Sequence, residues 1–236
     1  RRCSVRVFIL YEKHPNGGLF LLNQASPRRK KESDMKQLGS KVLETARLIL
    51  RPFCAADAQQ AFTNWMSDAE VTRYLTWTPH TDISFTRQLL EQWGQESVLS
   101  DVYHWAIVWR RTGEVIGDIC VVSSDKRSER AELGYCLSRA FWGRGIMTEA
   151  LLAVINFLIE QVGFSRIEAK HATANPASGR VMEKCGMKEE GVLHRYYCLP
   201  STGEWVDVSV HAILRGDWQA RRFGAARWMN VTWQAM

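Results

Sequence analysis

At 236 residues the chain can hold one domain of about 150 to 200 residues with a true hydrophobic core, and it is too short for two ample ones. Its formal charge of +6 sits in residues 1–40, where nine Lys/Arg meet three Asp/Glu, so the remainder carries 22 of each sign. The folded body therefore lacks the basic footprint of a DNA- or RNA-binding protein, and nucleic acid is not an expected partner.

Residues 1–40 read as a basic leader without lasting periodicity, punctuated by Pro15, Gly17, Gly18 and Pro27 and by the run Arg28 to Lys31. They lack the apolar region and cleavage site of a signal peptide, and Met35 is expected to be the true start. From Leu43 the pattern becomes regular. Arg47 to Arg51 predicts a strand and Ala55 to Met66 a helix past Pro52. A second helix follows from an N-cap at Asp82. Strands are expected at His104 to Trp109 and Val115 to Val122, joined across Arg111-Thr112-Gly113-Glu114, and again at Glu132 to Leu137.

The apolar period then lengthens. Leu151, Leu152, Val154, Ile155, Leu158, Ile159 and Val162 recur at helical spacing up to a stop at Gly163. Arg166 to Ala172 is expected to be a strand, and Asn175-Pro176 to open a helix that Gly186 closes. Val192 to Leu199 and Trp205 to Leu214 form a final hairpin across Pro200-Ser201-Thr202-Gly203. Beyond residue 218 a Trp-containing tail, residues 219–236, is either a packed helix or a frayed end. The order predicts a mixed α+β sheet with helices on both faces.

The longest apolar stretch, Ala150 to Ile159, is interrupted by Asn156 and falls well short of the roughly 20 residues that span a bilayer, so no membrane association is expected. Six cysteines (Cys3, Cys54, Cys120, Cys136, Cys185, Cys198) show no CxxC pair and sit mostly among apolar neighbours. They are expected to be reduced and buried, in a cytoplasmic protein. His104, His171, His194 and His211 match no ligand spacing, and no metal is expected.

The most informative segment is Phe141-Trp142-Gly143-Arg144-Gly145-Ile146-Met147-Thr148-Glu149-Ala150, between a strand and an amphipathic helix. Two glycines one residue apart let the chain turn so that successive N–H groups converge at a helix N-terminus, where the macrodipole favours a phosphate. An ordinary glycine turn would have the same composition. A Walker loop would need Gly-Lys-Ser/Thr, which is absent, and a dinucleotide fingerprint would need a third glycine where Thr148 stands.

Here the chain resembles the GCN5-related N-acetyltransferases, and within them the ribosomal-protein N-acetyltransferases, over roughly Leu43 to Trp218. The anchors are Leu43-Glu44-Thr45-Ala46-Arg47-Leu48-Ile49-Leu50-Arg51-Pro52, Ala131-Glu132-Leu133-Gly134-Tyr135, the Trp142 to Ala150 loop, and Asn175-Pro176-Ala177-Ser178 leading to Lys184-Cys185-Gly186-Met187. The resemblance implies a mostly antiparallel sheet of about six to seven strands in a domain spanning residues 41–218. It also implies acetyl-CoA as co-substrate. The amides of Trp142, Gly143, Arg144, Gly145, Ile146, Met147 and Thr148 would wrap its diphosphate, with Trp142 at the usual Gln/Arg position. Met147 stands at the final Gly/Ala position, where its side chain would approach the diphosphate.

By the same resemblance, the amide of Cys136 holds the acyl carbonyl, beside Leu137, and Asn175 meets the pantetheine arm. Catalysis falls to Glu132 as base and Ser178 as acid. The residue-level alternatives are a solvated strand-end carboxylate for Glu132 and a helix-first-turn serine bonded to backbone for Ser178. Tyr74, Trp77, Tyr196, Tyr197 and Trp205 are placed to wall the acceptor side, although aromatics there are often core. The implied reaction is direct attack of a primary amine on the thioester, through a tetrahedral intermediate. A protein N-terminal α-amine is the favoured acceptor, and the protein is expected to be a monomer or homodimer. A small amine or antibiotic as acceptor, or a non-catalytic acyl-CoA-binding module, are the competing readings.

Overall fold

A computed structural model describes residues 35–224, and the side chains of residues 35–221. Cys3, Trp228 and Trp233 lie outside this range, as do the residues before Met35 on which the expected start site bears. Along the chain run β1 (Leu43–Glu44), β2 (Leu48–Arg51), α1 (residues 55–66), α2 (Ala69–Thr72), α3 (Ile83–Glu96), β3 (His104–Trp109), β4 (Glu114–Asp125) and β5 (Arg130–Leu137). Then come α4 (Ile146–Phe157), β6 (Arg166–Ala172), α5 (Pro176–Lys184), β7 (Lys188–Cys198), β8 (Trp205–Leu214) and α6 (Arg215–Gly224).

The eight strands form one sheet in the order β1-β2-β3-β4-β5-β6-β8-β7, antiparallel at every junction except β5–β6. Seven of them lie where the apolar alternation predicts. The eighth, β1, is two residues long, too short to leave a periodic signal. The parallel junction needs a crossover, which α4 supplies.

Two cores sandwich the sheet. On one face α4, α5 and α6 cover Leu133, Leu137, Ile167 and Ile213, with Phe157, Met182 and Trp218 nearly inaccessible. On the other, α1 and α3 bring Ala58, Ala61, Trp65 and Leu90 onto Ala106, Val108 and Val115. The helix closing at Gly163 ends in a π turn, Leu158–Val162, and Gly163 takes the left-handed φ of 101° that stops it. No helix among the described residues is long and apolar enough to cross a membrane.

Three expectations are corrected. Residues 35–40 belong to the domain rather than to a leader, because Lys36 N donates to Val162 O at 2.7 Å and Met35 and Leu38 pack on the larger core. The expected boundary at residue 218 falls inside α6, anchored by buried Trp218, so the start of the tail is a packed helix. Of the described cysteines only Cys185 is fully buried, while Cys54 and Cys198 are exposed. Their apolar sequence neighbours flank turns or the sheet edge, where a side chain can face water.

Asp57 is buried at the start of α1. Burial alone would raise its pKa. Paired hydrogen bonds from Arg51 (2.8 and 2.7 Å) and one from Cys54 N (2.9 Å) outweigh that and hold it below the usual carboxylate range. A carboxyl depressed in the folded state stabilises fully above its unfolded pKa and loses that contribution as pH falls through the folded value. Urea midpoints should therefore fall between about pH 4 and pH 2. Asp57→Asn should be less stable than wild type at pH 7 and should flatten that acid limb.

Candidate active site

β5 and β6 are hydrogen-bonded from Arg130↔Arg166 to Leu133↔Ala169, yet β5 runs on to Leu137 and β6 to Ala172. The strands part beyond Leu133, opening a gap in mid-sheet. A cavity of about 690 Å³ passes through it. One half is lined by Gly143, Gly145 to Thr148 and by Asn175, Ser178, Arg180 and Lys184 of α5. The other is lined by Glu70, Val71 and residues 73–77, the β4–β5 face, and Tyr196 and Tyr197 of β7.

At the end of β5 the chain makes a 3-10 turn over Arg139–Phe141 and enters the glycine turn. Gly143 and Gly145 have φ of 71° and 72°, where a side chain costs about 1–2 kcal/mol. Gly145 is the N-cap of α4, so the first amides of that helix lack intrahelical partners and face the cavity end. A Cβ on Gly143 would meet no atom within 4 Å, which leaves the turn open to a ligand. The side chains keep clear of it. Met147 is 5% exposed and points into the core, contrary to the expectation that it crowds an anion. Arg144 stacks outward over Phe141 (5.2 Å) and Trp109 (5.8 Å). Trp142 donates its indole N–H to Leu137 O at 2.8 Å, tying the turn to the strand.

A clamp that sequence reading missed fixes the turn from outside. Arg47 Nη1 donates to Arg144 O (3.0 Å) and its Nε to Glu149 Oε2 (2.6 Å), while Arg47 N and Thr45 Oγ1 donate to Glu149 Oε1 (3.0 and 2.6 Å). Glu149 lies in the first turn of α4, where its charge suits the helix dipole. Arg180 and Lys184, four residues apart on α5, add cations to the same half of the cavity. Their i,i+4 spacing was the available signal.

Asn175 caps α5, accepting from Ser178 N at 3.4 Å. Ser178 Oγ does not turn back on the backbone. It meets Tyr135 OH at 2.9 Å, and Tyr135 OH also reaches Ser178 O at 3.2 Å. Burial pushes the Tyr135 hydroxyl far above its ordinary pKa, so it stays protonated at any physiological pH.

The alternation of β5 reassigns the amide expected at Cys136. Ser138 N donates to Ile116 O of β4 at 2.7 Å, and a Cβ on Gly117 would stand 2.3 Å from Cys136 O. The even-numbered peptide edges thus face β4, and alternation turns those of Tyr135 and Leu137 toward the gap. Leu137, not Cys136, offers the amide at the gap's inner end. The side chain of Glu132 shares its sheet face with Gly134 and Cys136, as period 2 requires. Its Oε2 accepts from Lys170 Nζ at 2.7 Å, and Lys170 also meets Tyr196 OH at 3.1 Å. Although burial disfavours charge on Lys170, those bonds hold its pKa up.

Tyr74, Trp77, Tyr196 and Tyr197 line the second half of the cavity, and Tyr197 OH donates to Tyr74 O at 2.7 Å, pinning residues 70–77 to β7. Trp205 does not line it. It is exposed at the sheet edge under Arg195. His104, Asp118 and Cys120 place one potential metal ligand each within 4.8 Å of one another. In sum, an anion cradle, a gap edged by peptide amides and an acidic, aromatic groove lie in line. That arrangement suits an extended phosphate-bearing ligand meeting a second reactant inside the sheet.

The family model for the acetyltransferase (GNAT) domain matches residues 47–188. An N-acetyltransferase of Bacillus licheniformis named p20 and described as uncharacterized is 32% identical over 176 residues, covering 75% of this chain and 97% of its own length. Among solved structures, the ribosomal-protein-S5-alanine acetyltransferase of Vibrio fischeri aligns with a TM-score of 0.67 at 20% identity, over 76% of this chain and 99% of that one. The microcin C7 self-immunity acetyltransferase MccE, in complex with acetyl-CoA and AMP, aligns with a TM-score of 0.64 at 20% identity, over 72% and 93%. At such identities the two structures speak to fold alone.

Proposed function

The chain belongs to the GNAT acetyltransferase family and is an acyltransferase, and from that premise we propose that it carries the acetyl group of acetyl-CoA to a primary amine, with a protein N-terminal α-amine as the favoured acceptor. The observation that carries the reading is the through-going cavity, which joins the glycine turn to the acidic aromatic groove across the β5–β6 gap. The turn fits a diphosphate: its glycines adopt φ values that need glycine, Gly143 is unobstructed, and Arg180 and Lys184 flank it. The solved MccE complex, which shares the fold, holds acetyl-CoA. The resemblance of the Trp142 to Ala150 loop and of Asn175-Pro176-Ala177-Ser178 to the ribosomal-protein N-acetyltransferases favours a peptide acceptor.

In this reading the amides from Gly143 to Thr148 hold the diphosphate, the Asn175 carboxamide meets the pantetheine arm, and the Leu137 amide receives the acyl carbonyl. Ser178, oriented by Tyr135, protonates the departing thiolate. Glu132 is the proton acceptor that family resemblance nominates. It stands five residues before Leu137, about 16 Å along the strand, so any proton it takes from an amine there travels through water.

Release of free thiol from acetyl-CoA, followed with a peptide bearing a free N-terminus and with the same peptide blocked, tests the proposal. Turnover with the free peptide alone is expected. Turnover only with small mono- or diamines would move the acceptor to that class. Acetyl-CoA binding without turnover for any amine would leave a non-catalytic acyl-CoA-binding module.

A further inference from the structure

Three carboxylates are buried among the described residues: Asp57, Asp118 and Glu168. Asp57 is paired with Arg51, and Glu168 with Arg166 and Arg130. Among the described residues Asp118 meets neither Lys nor Arg. Its Oδ2 lies 3.2 Å from His104 Nε2. The imidazole carries no obligatory charge, and its ring is held by Phe53 and Trp93 at centroid distances of 5.2 and 4.1 Å. Burying a carboxylate without a fixed cation is costly when it is ionised, and Asp118 opens onto a cavity that admits a cationic ligand.

Asp118 is 8% exposed, and it lines the acceptor half of the cavity. Its Cα partner across the ladder is Cys136, one strand spacing of about 4.8 Å away, next to the Leu137 amide at the gap. Glu132 also lines that half, farther out, but its charge is already balanced by Lys170. We propose that Asp118, oriented by His104, is the binding site for the ammonium group of the acceptor and the first acceptor of its proton. This rests on the amine-acceptor reading above and deepens it by choosing between the two carboxylates.

The physics favours activation at this spot. An ammonium seated on Asp118 in a water-poor pocket forms a buried ion pair, and low polarity favours the neutral forms of both partners. One N–H bond breaks and one O–H bond forms, leaving a neutral amine with a free lone pair beside a carboxylic acid. As the new C–N bond replaces the C–S bond, nitrogen loses a second proton, which through water replaces the one Ser178 gives the thiolate, and Asp118 returns the first to solvent. A metal at His104, Asp118 and Cys120 is the rival use of these side chains. It would take one ligand atom from each of the three, and zinc retention separates it from the ammonium site.

The probe is benzylammonium against benzyl alcohol, nearly the same shape without charge, titrated into CoA-loaded protein and read from the His104 imidazole NMR signals. Saturable binding of the cation, at least about tenfold tighter than the alcohol, is expected for wild type. Asp118→Asn should erase that preference at unchanged CoA affinity, while Glu132→Gln keeps it. Thiol release should follow the same order, kcat/KM falling further for Asp118→Asn than for Glu132→Gln. Equal binding of cation and alcohol by wild type overturns the proposal without any variant. A preference lost in Glu132→Gln and kept in Asp118→Asn, or stoichiometric zinc that Asp118→Asn alone fails to retain, overturns it too. If no amine is acetylated yet the cation preference depends on Asp118, the transferase reading falls and the ammonium site stands.

Discussion

Gly145→Glu abolishes measurable acetyl-CoA binding while the domain stays folded. The position is the N-cap of α4, at φ 72°, with Arg47 Nη2 3.7 Å from where a Cβ would stand. A glutamate there sets a negative charge against the diphosphate at the helix end that should attract it. Like-charge juxtaposition at an interface costs several kcal/mol, so the calorimetric affinity should fall at least about a hundredfold. Backbone strain is a separate contribution of about 1–2 kcal/mol, and Gly145→Ala isolates it. The alanine variant should melt lower but bind acetyl-CoA within about tenfold of wild type. If alanine and glutamate weaken binding equally, the loss comes from turn geometry and not from charge.

Ser178→Ala lowers kcat about a hundredfold, the lower range for losing a positioned proton donor, with acetyl-CoA affinity within threefold. The hydroxyl is free for this work because the helix cap is made by Asn175, and Ser178 contributes its backbone N–H to that cap. Removing Oγ therefore takes away the contact to Tyr135 and little else. Tyr135→Phe should give a smaller loss in kcat, since it disturbs the orientation of Ser178 and leaves its proton in place. A Ser178→Ala enzyme with wild-type kcat would reduce the serine to a first-turn residue of α5.

The sheet was largely legible because period-2 alternation and a lengthened apolar period mark strands and helices independently of tertiary contacts. Gly163, Asn175-Pro176 and the hairpin at Gly113 marked ends with local chemistry, and each end lies there. What escaped depends on neighbours remote in sequence. α1 is a succession of 3-10, α and π turns, a break that no periodicity announces. Side-chain alternation placed Glu132, Gly134 and Cys136 on one face, but it says nothing of which peptide edge faces β4 and which the gap. That is why the amide proposed for the acyl carbonyl is that of Leu137 and not Cys136.

The site divides the same way. The glycine turn stood out through residue type and spacing, and Ser178 through the family resemblance. Arg47 read as the start of a strand, and only its contact with Glu149, 102 residues on, shows it bracing the turn. Asp118 offered one sequence signal, a lone carboxylate inside the apolar run Val115-Ile116-Gly117-Asp118-Ile119-Cys120. Its separation from the Lys and Arg of the described residues is visible only in three dimensions.

A crystal structure with coenzyme A bound tests the central claim most directly. The account predicts pyrophosphate against the main-chain amides from Gly143 to Thr148, with the sulfur between β5 and β6 near Ser178. Coenzyme A seated elsewhere, with the glycine turn closed on itself, would contradict it.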